Sequence, residues 1–333
     1  MKLKKITKII CSLATASTLV GCSSVAIKQQ TTNLKSNEIS TKRLIEFESD
    51  GNGFNTKTYF YVGKEEVIAF DSQFTEGLAN QAVEHLRKFT QKPITKLVVT
   101  HPNPDKFNGT RVFKNLGAQI VASNATKKSI QGVHDYKKYF FVEMAKMFTN
   151  NTYPNPASID VSFENNMTID LIGGEKIELI ELSMPGVSTN QTVALLPNKS
   201  GLIVGDLVHN KTHAWLEGGI VEGKATPTID SWQNLLRTLE NQFDREIIVY
   251  GGRGENGALH SVINEQINYL EVSKDIVENY ALKLKQNDIS ITSENASAHH
   301  EAITREFEAA FPNYQHSYMI QYGVYGLLNA SLL

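Results

Sequence analysis

The sequence predicts a mixed α/β fold with a β-rich start. Three observations predict it. Short runs rich in β-branched and aromatic residues recur at the start, separated by Gly-containing turns. Apolar residues at helical spacing appear between later runs, and a long amphipathic stretch lies near the end. Strands first and helices later, without a strict βαβ repeat, point to mixed layers rather than to an all-parallel sheet.

The elements follow in order. Runs over 43–48, 57–62 and 66–70 read as strands, with Gly63-Lys64 as a turn between the last two and Asp71 closing the third. Segment 77–89 has helical spacing through Leu78, Ala82, His85 and Leu86. A buried strand over 95–100, a helix over 111–116 and a strand over 119–122 complete a βββαβα start. The bulky residues Tyr139, Phe140, Phe141, Met144 and Met147 predict a helix over 134–149. Strands over 159–163, 167–171 and 176–182 follow, punctuated by Gly173-Gly174 and Pro185-Gly186. Two more, over 192–196 and 201–204, end at Gly205-Asp206, and 205–218 reads as a loop. A helix over 231–243 leads to a strand over 246–250, and 260–284 is a long amphipathic helix. A further helix over 301–310 and an apolar close over 318–333 end the chain. No Pro- or Ser-rich linker interrupts the sequence after 41. The reading is therefore one domain over 42–284 with a helical appendage over 285–333.

The N-terminus stands apart. Residues 1–8 carry four Lys and no acid, 9–20 are mostly apolar or small, and Leu19-Val20-Gly21-Cys22 closes the segment. A basic start, a short apolar run and a small-residue end make a secretory signal peptide. The ending resembles a bacterial lipobox, which implies cleavage that leaves Cys22 as a lipid-modified N-terminus; the alternative is an ordinary signal peptide with an incidental Cys. The expectation is that 1–21 are removed and that 22–41, rich in Ser, Thr, Gln, Asn and Lys, tether the domain. The protein would then be exported and lipid-anchored at the cell envelope, at the outer membrane in a Gram-negative host. The chain has two Cys, Cys11 and Cys22, so the mature domain is expected to be held by its core without a disulfide. A net charge of −2 and the lack of a long basic run argue against a nucleic-acid partner. The partners expected are the membrane, through the lipid, and a small molecule or an envelope protein.

Function is carried by His101-Pro102-Asn103-Pro104-Asp105-Lys106, which follows the apolar run 94–100 and precedes Gly109. Four other landmarks accompany it in order: Asp71 at a strand end, Met184-Pro185-Gly186-Val187-Ser188-Thr189-Asn190, Val204-Gly205-Asp206, and Val249-Tyr250-Gly251-Gly252-Arg253-Gly254. Together they resemble the metallo-β-lactamase fold superfamily over about 43–284. The hexapeptide resembles a degenerate H-x-H-x-D-H metal motif. The resemblance implies an αββα four-layer sandwich with the helical appendage added.

It also implies two metal sites, and the ligands are mostly replaced. The first site would take imidazoles at 101, 103 and 187; here stand His101, Asn103 and Val187. The second would take Asp105 and imidazoles at 106 and 253; here stand Asp105, Lys106 and Arg253. The bridging carboxylate, Asp206, is present. A catalytic zinc takes three protein ligands plus water, and neither site reaches that number. Lys106 and Arg253 bring the charge of one Zn²⁺ beside two carboxylates, so a Lys–Asp–Arg–Asp cluster is expected to replace the second metal; the bland alternative is that both cations point to solvent. His101 reads either as a hydrogen-bonded core histidine or as a remnant ligand. Asp71 is expected to support the loop 102–105 through hydrogen bonds.

These readings leave three functions. The first is an inactive or non-canonical hydrolase homologue that binds a small molecule or partner and needs no cofactor. The second is an active metallo-hydrolase in which zinc or another divalent metal is held by His101, Asp105 and Asp206, with His209 and His213 as further ligands. The third makes Lys106 a cation clamp for an anionic substrate. If the site is catalytic, His101, Asp105, Lys106 and Arg253 carry it. Ser188 and Thr189 lack an evident His and acid to activate them. The first reading is preferred. β-Lactam hydrolysis is not expected, because it relies on a metal-bound hydroxide.

Overall fold

The computed structural model describes residues 43–182, 184–292 and 294–333. The expected signal peptide, Cys22 and the tether lie outside these residues. Residues Arg43–Leu333 form one compact unit.

Two six-stranded sheets dominate it. The first has the order β1-β2-β3-β4-β5-β6 and is made of β1 (Leu44–Glu48), β2 (Lys57–Val62), β3 (Val67–Phe70), β4 (Ile94–Val98), β5 (Gln119–Ser123) and β6 (Val161–Phe163). Its first three strands are antiparallel, and the next three continue in parallel from β3. The second contains β7 (Asn166–Asp170), β8 (Lys176–Leu182), β9 (Gln191–Leu195), β10 (Leu202–Asn210), β13 (Ile248–Gly254) and β14 (Gly257–Ala258), in the order β14-β13-β10-β9-β8-β7. A separate hairpin pairs β11 (Gly219–Val221) with β12 (Lys224–Thr226).

Side-chain alternation creates the layers, because successive residues of a strand point to opposite faces. In β2, Tyr59 and Tyr61 join the core between the sheets, whereas Phe60 joins the core under the helices. In β3, Ile68 and Phe70 face inward, and Val67 and Ala69 face outward. From the second sheet, Ile177, Leu179, Ala194 and Ile203 complete the inner core. Its other face, with Val193, Leu202 and Val204, packs on helices. The result is helices, sheet, sheet, helices: the expected four layers.

On the first face lie α1 (Glu76–Arg87), the short α2 (Pro104–Phe107), α3 (Thr110–Asn115) and α4 (Asn124–Tyr139). The second face carries α5 (Ile229–Gln242) and α6 (Leu259–Gln286), with Trp232, Leu235, Leu236, Val262, Ile263 and Leu270 buried. The appendage consists of α7 (Ala296–Ala310), α8 (Tyr318–Gly323) and α9 (Tyr325–Leu332). Ile303, Phe307, Ile320, Val324 and Leu328 join the same core as α5 and α6, so the appendage is bound by apolar burial.

Three expectations are corrected. The run 205–218 is not all loop: β10 continues to Asn210, because its edge pairs in parallel with β13 across two register shifts. The helix expected over 134–149 starts ten residues earlier at Asn124, where the Ser123 hydroxyl accepts from the Thr126 N–H. It ends at Tyr139 and gives way to a π-helical turn over Phe140–Met144. The helix expected over 301–310 begins at Ala296. The hairpin over 219–226 had no turn signal strong enough to read.

Candidate functional site

The site forms where β3, β4, β10 and β13 end. After β4 the chain runs through Thr100 and His101 into α2, whose first turn carries Asp105 and Lys106. Pro104 at the first turn suits a helix start, where the missing N–H removes no intrahelical bond. Asp71, at the end of β3, accepts from the Thr100 N–H at 2.9 Å and from its hydroxyl at 3.0 Å. Asp71 therefore anchors Thr100, just before the loop 102–105 that it was expected to support. It does so from a left-handed backbone conformation, φ 62°, that is rare for a residue other than Gly. Burial raises its carboxyl to about 6.

Two register shifts between β10 and β13 flank Gly205, the second spanning Asp206, and such irregularities re-aim a side chain. Gly252 on the neighbouring strand permits this. A Cβ there would lie 1.9 Å from Asp206 Oδ1. Gly205, at φ 53°, makes room for Thr100, whose Oγ1 would be 2.5 Å from a Cβ.

The structure brings Asp105, Lys106, Asp206 and Arg253 into one buried cluster; Lys106 is fully inaccessible. Lys106 Nζ lies 2.9 Å from Asp105 Oδ2 and 2.7 Å from Asp206 Oδ1. Arg253 donates from Nη1 to Asp206 Oδ2 at 2.6 Å and from Nη2 to Asp105 Oδ2 at 2.8 Å. Its Nε donates to the Phe54 carbonyl at 2.6 Å, and Nη2 also reaches Thr56 Oγ1 at 2.9 Å. Thr56 in turn donates to Asp105 Oδ2 at 2.7 Å. Each cation thus meets both carboxylates, and neither cation points to solvent.

The titration behaviour follows from this geometry. Burial alone would raise both carboxyls, but Lys106 and Arg253 outweigh it and bring Asp105 down to about 2. Asp206 is held well below the usual carboxylate range by the same two cations against burial. Burial opposes the charge of Lys106 and Arg253, yet the two carboxylates raise both above their ordinary values. All four stay charged across the neutral range.

The other candidates sit differently. His101 is buried, with Nδ1 2.9 Å from Thr100 Oγ1 and Nε2 3.7 Å from Asp206 Oδ2. His209 lies on β10 with its ring against Trp232, and among the described residues neither ring nitrogen has a hydrogen-bond partner. Burial lowers it to about 3, so it is neutral. His213 stands in an aromatic cage of Tyr269, Phe307, Phe311 and Tyr314 rather than at the cluster. Val187 is buried in the apolar core beside α5 and α6, and Ser188 is buried beside it.

Several site residues had no sequence signal. A cavity of about 30 Å³ adjoins the cluster, lined by Asn103, Asp105, Asp206 and Arg253 on one side and by Phe54, Trp215 and Met319 on the other. That is room for one or two waters. Met319, from α8, is almost wholly buried there. Tyr322 stacks on Trp215 with the rings 7° from parallel, and Tyr318 donates to Asn55 Oδ1 at 2.6 Å. Lys137 and Glu217 form a second buried ion pair at the cavity wall. The Lys137 ammonium lies 4.5 Å from the Trp215 ring centroid, and Trp215 Nε1 donates to Glu217 at 3.0 Å. These partners are far apart in sequence, and nothing local marks them.

The donor set does not fit the metals implied by the sequence resemblance. An ammonium and a guanidinium stand at two ligand positions and engage the remaining carboxylates, and Val187 offers no donor atom. Among the described residues, no group of three or more His, Cys, Asp or Glu side chains is placed to hold a metal ion.

Comparison with known proteins places this architecture. A family model described as the metallo-beta-lactamase superfamily matches residues 51–252. A metallo-beta-lactamase from Pontibacter korlensis is similar in structure, with a TM-score of 0.51 and 18% identity over 68% of this chain and 93% of that one. The DIM-1 metallo-beta-lactamase, solved after exposure to ceftazidime, gives a TM-score of 0.49 and 19% identity over 69% of this chain and 92% of that one. No curated protein matches the chain.

Proposed function

This chain belongs to the metallo-beta-lactamase superfamily, and we propose that it is a non-hydrolytic member whose second metal has been replaced by an internal ion cluster. The observation that carries this reading is the placement of Lys106 and Arg253, each paired with both Asp105 and Asp206. Two fixed cations supply the charge that a divalent metal would supply to these carboxylates. They supply neither a Lewis acid nor a bound hydroxide. The cluster then serves as a scaffold, and Met319 and Trp215 close the cavity over it. The protein acts by binding a small molecule or a protein partner. The N-terminal pattern around Cys22 supports a place at the cell envelope, held by lipid. Among the described residues no helix is long and apolar enough to cross a membrane, so such an anchor would rest on the N-terminal segment.

The test is metal content by mass spectrometry after exposure to Zn²⁺, Mn²⁺ and Fe²⁺ and desalting, with nitrocefin turnover measured alongside. The expected result is folded protein with substoichiometric metal and no metal-dependent turnover. Retention of about one equivalent, lost in Asp206→Asn, together with zinc-dependent hydrolysis would overturn the reading in favour of a rearranged hydrolase.

A further inference from the structure

A second concavity, sharing no residue with the buried cluster's cavity, lies between α4 with its π turn and the appendage. It encloses about 550 Å³. That volume suits a small organic ligand. One wall is aromatic: Phe140 and Tyr325 stack with their rings 14° from parallel, and the Tyr136 and Tyr325 hydroxyls bond at 2.8 Å. The rim carries Tyr139 and Met144, both 62% exposed, large apolar groups that the fold leaves in water. Met side chains adapt to irregular apolar partners. Ile291 and Ala296 also line it, and Ser297, His300, Gln321 and Asn329 add a few neutral hydrogen-bonding groups.

The charge pattern selects the ligand. No lining residue is Asp, Glu, Lys or Arg. His300 is neutral as well, since burial lowers its titration. A charged ligand would lose hydration here and meet no counter-ion among the described lining residues. Lys137, which follows the lining residue Tyr136, turns away to Glu217 at the other cavity.

We propose that this groove is a binding site for a neutral, flat ligand of about two or three rings, stacked beside the Phe140–Tyr325 wall and hydrogen-bonded through an uncharged polar group to the Ser297–His300 side. The assignment is independent of whether the buried cluster holds a metal.

The test uses the compact unit 43–333, which carries its own cores. N-phenyl-1-naphthylamine, a neutral dye that fluoresces in apolar surroundings, is titrated beside its anionic relative 8-anilino-1-naphthalenesulfonate. The expected result is saturable binding of one equivalent of the neutral dye, with the sulfonate at least about tenfold weaker. Ser297→Trp and Asn329→Trp place bulk in the groove from exposed positions. Each should weaken the neutral dye at least about tenfold at unchanged melting temperature, whereas Leu116→Trp, at an exposed site elsewhere, should leave binding unchanged. Unsaturable binding, equal affinity for the sulfonate, or indifference to both groove variants would overturn the proposal. A dimer in sedimentation that both groove variants dissociate, without dye binding, would also overturn it by giving the groove to a second copy of the chain.

Discussion

The two sets of positions that the resemblance assigns to metal ligands are paired by different rules. In one half the ligand positions that the resemblance implies hold no carboxylate: Asn103 lines a small cavity, Val187 lies in the apolar core, and His101 makes a hydrogen bond with Thr100. In the other half both carboxylates remain, and two cations have come to meet them. The difference teaches that donor atoms can be dropped freely, whereas buried charge must be answered. A neutral side chain at a vacated position leaves little unpaired. A buried carboxylate without a cation carries a penalty of several kcal/mol.

The sharpest way to break this comparison is to remove one cation. Arg253→Ala or Lys106→Ala should each cost about 3–5 kcal/mol in urea denaturation, because a carboxylate is left short of a partner. A loss under about 1 kcal/mol would place the two halves on the same footing. Restoring charge balance should then recover part of the loss. Lys106→Met combined with Asp206→Asn should be less destabilised than the sum of the single variants, with a coupling of about 0.5–3 kcal/mol in a double-mutant cycle.

Acid should act through three buried groups at and around the site, His209, Asp105 and Asp71. His209 is held neutral down to about 3, whereas an unfolded imidazole binds a proton near its ordinary 6.5. Its contribution is therefore present above 6.5 and is lost as pH falls from there toward 3. Asp105, lowered to about 2, contributes fully above its ordinary value of 3.8 and loses that contribution as pH falls below it. Asp71 has the opposite sign: raised to about 6, it favours the fold at low pH and loses that advantage as pH rises through 6. Melting curves of wild type and His209→Gln between pH 7.5 and 4 separate these terms. The variant should show a flatter dependence than wild type, and parallel curves would remove His209 from the account.

The half without carboxylates should respond least. Val187→His forces a larger polar ring into a packed core, and about 1–3 kcal/mol of destabilisation is expected. Asn103→Ala, at a partly exposed position whose side chain makes no capping bond, should change stability by no more than about 0.5 kcal/mol. A larger effect at Asn103 than at Lys106 would invert the comparison.

By itself the sequence determined the layered α/β class, most of its strands and helices, and which residues stand at the positions that the resemblance marks. Runs rich in aromatic and β-branched residues such as β2, and helical spacing in α1 and α6, are local signals. The replacement of imidazoles by Lys106 and Arg253 was equally legible, since five landmarks in order fixed which positions mattered. Only the tertiary structure decided that those cations turn inward. Their direction depends on Asp105 of α2 and Arg253 of β13, 148 residues apart, and on Thr56 and the Phe54 carbonyl, in a loop with no motif. Lys137 and Glu217, 80 residues apart, pair for a reason equally invisible in sequence: a charge is buried only where another chain segment brings its partner. The closing of the cavity by Met319 likewise came from how α8 packs on Trp215, a contact between surfaces that no spacing rule encodes.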